Sequence, residues 1–189
     1  EPDIGSDASG VRTTYKPKGK GFVLTGRKKW ISFGEIADFF LVLASRDSEK
    51  TVLLVERDFD GVKTSPIKGL LGRRASHVAE IEFNNVYVPE ENVIGKPGTG
   101  FTHVVGTALD HGRYSIAWSG VAIAQEALEA MVTYSRMRKQ FDKRICEFQL
   151  VQGMIGDAVT KTHAARALCI RAGKLRQQGS SDAIIETSI

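Results

Sequence analysis

The sequence predicts an α+β chain: an antiparallel β-barrel or sandwich over residues 1–99, followed over residues 100–189 by helices of an incomplete four-helix bundle. Two observations carry this reading. All five prolines lie at or before Pro97. Short β-branched or aromatic runs separated by turn residues occupy the stretch before it, and apolar residues at helical spacing occupy the stretch after it.

In the first part, Phe22-Val23-Leu24-Thr25, Phe39 to Ala44, Thr51 to Val55 and Val78 to Phe83 read as strands. Lys18-Gly19-Lys20-Gly21 and Arg57 to Gly61 supply turns, and Ser45 to Lys50 reads as a polar loop joining two buried strands. No parallel βαβ unit is visible. In the second part, Val104, Val105, Ala108, Leu109, Ile116, Ala122, Leu128, Met131 and Val132 predict one long helix from Gly100 to Lys139. A second helix is predicted from about Glu147 to Gln178, with Leu150, Val151, Met154, Ile155, Ala158, Val159, Ala165 and Leu168 on its buried side. Gly179-Ser180-Ser181-Asp182 ends it, and Ser181 or Asp182 is placed to cap a third helix. Two antiparallel helices cannot bury both apolar faces by themselves, which points to a bundle with further members.

Composition bounds the function. The chain is 42% hydrophobic and 25% charged, as in ordinary globular proteins. No apolar run approaches the roughly 20 residues of a membrane span. Cys146 and Cys169 form no CxxC or Cys/His cluster, so they read as reduced buried thiols rather than a disulfide framework or zinc site. The net charge is +4 and the pI near 9.1, but basic residues are interleaved with acids, which describes a solvated mixed surface better than a nucleic-acid interface. No charged-then-apolar signal segment is present.

The most informative chemistry lies in Trp30-Ile31-Ser32. Alternation along a strand would point Trp30 and Ser32 the same way and turn Ile31 into the core. A flat aromatic face beside a hydroxyl suits an isoalloxazine, which needs an apolar plane and a hydrogen-bond partner near N5. By itself the triplet also fits a half-buried strand tryptophan beside a solvated serine. Gly5-Ser6-Asp7 offers a backbone open to close approach and a hydroxyl beside it, or else a self-satisfied turn. Asp110 and Arg113 are three apart on a helix and face a ligand or pair with each other. Arg138 and Gln140, with Gln149 opening the next helix, suit a dinucleotide: guanidinium binds pyrophosphate and amides satisfy polar edges. The neighbouring Arg136, Lys139, Lys143 and Arg144 also allow a solvated basic turn.

Four ordered segments resemble one family, the acyl-CoA dehydrogenases. Glu1-Pro2-Asp3-Ile4-Gly5-Ser6-Asp7 is similar to the family's E-P-x-x-G-S-D turn, and the Trp30 motif follows at compatible spacing. Lys68 to Ser76, then Phe83 to Gly95, is similar to the strand and V-P-x-x-N-x-x-G turn that closes the family's middle domain. Arg138-Lys139-Gln140-Phe141 with Phe148-Gln149 resembles the helical R-x-x-F-G…Q segment, with Asp142 in place of the usual glycine. Ser32 stands where threonine is commoner and keeps the hydroxyl. The resemblance covers essentially the whole chain.

The resemblance implies FAD-dependent α,β-dehydrogenation of an acyl thioester, by proton abstraction at the α-carbon and hydride transfer to flavin N5. It assigns Glu1, Ser6, Trp30, Ile31, Ser32, Arg138, Gln140, Phe141 and Gln149 to the cofactor, and Ser6, Ser76, Asp110 and Arg113 to the substrate, with Arg113 the strongest candidate at the cavity mouth. Some relatives carry their catalytic glutamate immediately before that arginine. Gly112 stands there instead, so the base is expected beyond Ile189. The chain begins inside a motif and is expected to be an internal piece of a longer protein. The partners implied are acyl-CoA, an acceptor such as an electron-transferring flavoprotein, and further copies in a homodimer or homotetramer, in the cytoplasm or the mitochondrial matrix of a eukaryote. Leu109 to Trp118 looks like dehydrogenases that oxidise acyl groups on a carrier protein. Flavin oxidases, monooxygenases and a DNA-binding flavoprotein share the scaffold and remain the alternative.

Overall fold

Alternation of buried and exposed side chains builds one sheet from β1 (Thr14–Pro17), β2 (Gly21–Ile31), β3 (Phe39–Arg46), β4 (Glu49–Glu56), β5 (Val62–Pro66), β6 (Ala79–Pro89) and β7 (Val93–Ile94). In this computed structural model, which describes residues 1–189, two compact units divide at Thr107/Ala108. The sheet order is β5-β6-β2-β1-β3-β4-β7. All pairs are antiparallel except β1 with β3, which meet in parallel at Thr14 and Ser45. The α+β class is as expected, and the sheet is a single open, mixed one rather than a closed barrel. Phe40, Val42 and Ala44 of β3, Leu53 and Val55 of β4, and Ile81, Phe83, Val86 and Val88 of β6 pack with Tyr15 and Leu24 into its core. Tyr15 keeps its hydroxyl satisfied there by bonding Thr51 Oγ1 at 2.8 Å.

Three strands escaped the sequence reading. β1 and β5 contain one apolar residue each besides proline, and β7 is only two residues long, so none shows periodicity. The expected Ser45–Lys50 loop is instead a tight hairpin. β3 and β4 run on to Arg46 and Glu49, which pair at 2.7 Å across a turn in which Asp47 takes φ 54°.

Two bulges interrupt the β2–β6 ladder, one between Leu24 and Gly26 and one between Lys28 and Ile31. At the first, the extra residue falls on β6, where Asn85 has φ 53° and inward alternation restarts from Phe83 to Val86. At the second it falls on β2, at Trp30, with φ 64°.

The chain leaves the sheet through a π-helical stretch, Gly100–Val105, packed on β4. A side chain at Gly100 would come within 2.7 Å of the Val52 amide nitrogen, so the crossing requires glycine. α1 (Gly106–Met137) and α2 (Gln149–Gln177) follow, then α3 (Asp182–Ser188). Contacts of Asp110 with Arg176 and of Gln125 with Arg166 set α1 and α2 antiparallel. Their facing residues include buried Val121, Leu128, Thr162, Cys169 and Ala172. Several residues expected on buried faces are instead exposed, among them Ile116, Leu150 and Met154. Neither Ser181 nor Asp182 caps α3 with its side chain; Ser180 Oγ accepts from the Asp182 amide instead, at 3.3 Å. No helix is long and apolar enough to cross a membrane.

α1 ends at Met137, two residues before the expected Lys139, and a hairpin follows before α2, β8 (Lys139–Gln140) with β9 (Lys143–Arg144). Its two central residues, Phe141 and Asp142, have φ 53° and 58°, the signs a type I′ turn demands. Glycine takes that conformation without the Cβ strain that aspartate carries. Asp142→Gly is expected to raise stability by about 0.5–1 kcal/mol, read as a higher midpoint in urea denaturation of the full-length protein.

Candidate functional site

Glu1 is fixed from within. Oε1 accepts from the Thr13 amide at 3.0 Å, Thr13 Oγ1 at 2.7 Å and Lys28 Nζ at 2.8 Å, and Oε2 accepts from the Arg12 amide at 2.8 Å. Burial opposes ionisation of this carboxyl, but those donors outweigh it and hold the pKa at about 2, from an ordinary 4.5. Lys28, whose side chain is 15% exposed, also donates to the Leu43 carbonyl at 2.8 Å, and burial still draws its pKa below the usual range. The sequence assigned Glu1 to the cofactor; the structure commits its carboxylate to the protein. The residues missed were Thr13 and Lys28. Counting alternate positions from buried Leu24 puts Lys28 on the same face, and a lysine there needs an acid.

Downstream, Asp7 closes its turn through Ser9 Oγ and the Gly10 amide, while Ser6 is exposed and makes no side-chain hydrogen bond within the chain.

At Trp30 the bulge changes the expected geometry. β2 ends at Ile31, which packs on the core as predicted, but Ser32 lies past the strand in a turn, so strand alternation does not set its direction. Trp30 is 58% exposed, with Lys29 Nζ 5.3 Å from its ring centre. Ser32 is exposed and unbonded. The turn that Ser32 opens is tied to the loop carrying Ser76: the Phe33 amide donates to the Ser76 carbonyl at 2.7 Å, and the Glu35 amide to the His77 carbonyl at 3.2 Å. Two segments that the sequence placed on opposite sides of the chemistry, cofactor and substrate, are thereby joined. Ser6 and Ser32 each offer a hydroxyl without a protein partner, and Trp30 offers an exposed ring beside Ser32, groups that fit a flavin ring.

In the helical unit, Asp110 does not pair with Arg113. Arg176 of α2 grips its carboxylate with both terminal nitrogens, at 2.5 and 2.7 Å, and lies 4.8 Å from the Tyr114 ring centre. Hydrogen bonding from Arg176 lowers the Asp110 pKa against a smaller opposing effect of burial. Tyr114 donates to the Cys169 carbonyl at 3.2 Å, and a side chain at Gly173 would strike its hydroxyl. Nothing in local spacing links Asp110 to Arg176, so sequence reasoning had no signal for this clamp. Arg113 remains exposed. Arg138 and Gln140 are exposed on the hairpin, and Phe141, 88% exposed, meets Phe148 edge-on at 6.4 Å. Gln149 opens α2 next to them. Exposed cation, amide and ring on one hairpin-to-helix junction suit a pyrophosphate-bearing cofactor.

Residues 1–86 match the family described as acyl-CoA dehydrogenase, middle domain, and residues 98–189 match acyl-CoA dehydrogenase, C-terminal domain. The chain is 36% identical over 187 residues to the probable acyl-CoA dehydrogenase FadE25 of Mycobacterium tuberculosis, covering 96% of this chain and 48% of that protein. It is 38% identical over 185 residues to glutaryl-CoA dehydrogenase of Desulfococcus multivorans, covering 95% and 47%. A solved glutaryl-CoA dehydrogenase of Mycobacterium smegmatis in complex with FADH2 superposes with a TM-score of 0.91 at 28% identity, over 97% of this chain and 48% of that one. The chain thus spans about half the length of the curated relatives it matches.

The Glu1 network has a pH signature. Because the folded pKa lies below the unfolded one, its stabilisation is complete above about pH 4.5 and is lost as pH falls toward 2. Glu1→Gln is expected to cost about 2–3 kcal/mol at pH 7 in urea denaturation, with the gap to the parent closing progressively between pH 4.5 and 2.5.

Proposed function

The chain belongs to the acyl-CoA dehydrogenase family, and on that premise we propose that the protein is an FAD-dependent oxidoreductase that introduces an α,β double bond into an acyl thioester. The observation that carries the reading is the Trp30 bulge, which leaves the aromatic ring exposed beside the exposed, unbonded Ser32 hydroxyl at the end of β2. FAD, when bound, supplies the acceptor for the hydride that leaves the β-carbon.

The chain's own residues bind and orient. Trp30 excludes water from one side of the ring system, and Ser32 donates its hydroxyl hydrogen to the ring's N5 edge. Ser6 offers a second donor. Arg138, Gln140 and Gln149, with Phe141 beside them, would hold the anionic and polar parts of the cofactor of a neighbouring copy. Ser76 would support the thioester's polar arm from the loop bonded to the Ser32 turn, and Arg113 is the helical unit's own candidate for a polar group of the substrate. Proximity and fixed donors lower the barrier; the α-proton goes to a carboxylate other than those described here. Acyl-CoA is the substrate the family name favours, with an electron-transferring flavoprotein as acceptor and a homodimer or homotetramer as the working assembly.

Anaerobic titration of the full-length protein with matched acyl-CoA and acyl-carrier thioesters is expected to bleach the visible flavin band. The set that bleaches it identifies the carrier, and an unbleached flavin would replace this reading with an oxygenase or binding role. Ser32→Ala is expected to lower kcat about tenfold, near the 1.4 kcal/mol of one hydrogen bond, with KM little changed; steady-state kinetics on the same thioester decides it.

A further inference from the structure

In the turn that carries Ser32, the Gly34 and Ala37 carbonyls are among those its own backbone leaves open. Within it the Gly34 amide donates to Ile31, and the Ile36 and Ala37 amides both donate to Phe33. The Gly34 and Ala37 carbonyls are met by Arg57, which arrives from the end of β4: Nε donates to Ala37 at 2.5 Å and Nη2 to Gly34 at 3.1 Å. Nη1 reaches Thr64 Oγ1 on β5 at 3.4 Å, and the Arg57 amide donates to the Asp38 carbonyl at 2.8 Å. The guanidinium stands 5.9 Å from the centre of the Phe40 ring.

No carboxylate pairs with Arg57, although Glu56, Asp58 and Asp60 flank it in sequence. A partly buried arginine that gives its fork to two main-chain carbonyls rather than to an acid fixes backbone instead of balancing charge. The opposite side of the same turn is held by Ser76 and His77 through two backbone bonds, with His77 Nδ1 and Glu35 Oε2 3.1 Å apart. The turn is therefore gripped from both sides, and it carries the exposed Ser32, Phe33 and Ile36 side chains beside the exposed Trp30 at the bulge.

We propose that Arg57 is a positioning residue for the flavin: by fixing the Gly34 and Ala37 carbonyls it holds the Ser32 hydroxyl and the Trp30 face in register for the cofactor ring. The proposal rests on the reading of Trp30 and Ser32 as flavin-facing. A lysine keeps the charge but donates from a single nitrogen and lacks the planar fork that spans the two carbonyls in fixed geometry. Methionine keeps the length and serves neither.

The test uses the full-length protein as wild type, Arg57→Lys and Arg57→Met, with hydrogen exchange of the apoprotein, FAD Kd and steady-state kinetics. Exchange at the Gly34, Ile36 and Ala37 amides is expected to quicken at least tenfold in Arg57→Met, with the β3–β4 ladder unchanged. The FAD Kd is expected to rise at least tenfold and kcat to fall similarly at saturating FAD, while KM for the thioester stays within twofold. Arg57→Lys is expected to fall between, and serves alone if the methionine variant does not fold. Unchanged exchange in the turn overturns the proposal, as does faster exchange with a wild-type FAD Kd and flavin spectrum. A wild-type protein that binds no FAD overturns the flavin reading itself, and the role of Arg57 with it.

Discussion

A lysine ammonium inside a β-sheet is costly unless its acceptors are fixed, and Lys28 has two, the Glu1 carboxylate and the Leu43 carbonyl, both at 2.8 Å. Glu1 in turn fills its remaining capacity with Thr13 and the Arg12 amide. This small network ties three parts of the chain together: the N-terminal turn that bears Ser6, the segment entering β1, and β2 just before its bulge at Trp30. A one-residue slip of β2 would turn Lys28 outward and leave Glu1 buried without its cation, so the pair specifies register more than it adds stability. Two of the three segments expected to meet the cofactor hang from it.

The bulge supplies what a regular strand cannot. In an unbroken β2, Trp30 and Ser32 would stand on one face and lie under the control of the pleat. An extra residue at Trp30 frees its ring from the ladder, keeps Ile31 on the core, and lets the chain turn at once so that Ser32 leads into Phe33 to Ala37. The left-handed backbone at a bulky tryptophan has an energetic cost, and such costs gather where a side chain must be aimed.

Where the sequence was legible, periodicity made it so. β3 and the first half of β6 alternate cleanly, β4 carries a continuous apolar run, and α1 and α2 are long enough for spacing to speak. β5 was illegible because an edge strand of Val62-Lys63-Thr64-Ser65-Pro66 has nothing to alternate. The 139–144 hairpin was illegible for a different reason: its turn is Phe-Asp rather than a glycine pair, and basic residues flank it on both sides. At the site, the residues themselves were readable, but not the partners that fix them. Arg57 and Arg176 act on main-chain or side-chain oxygens 20 or more positions away, in contacts that no local spacing records.

Those partners also decide which chemistry is open to the carboxylates that the sequence brought to the site. A general base needs a free lone pair and a pKa near the working pH. Glu1 has neither: it accepts four hydrogen bonds and sits at about 2. Asp110 is held bidentate by Arg176 and is drawn below its ordinary range by the same contact. Gly112, at the helix position beside Arg113, has no side chain to offer. The residues assigned to cofactor and substrate that remain exposed carry hydroxyls, amides, cations and aromatic rings, which bind and orient but do not take a proton from carbon. On the proposed reading, these residues suit the flavin and the carrier arm, and neither Glu1 nor Asp110 is placed to act as the base.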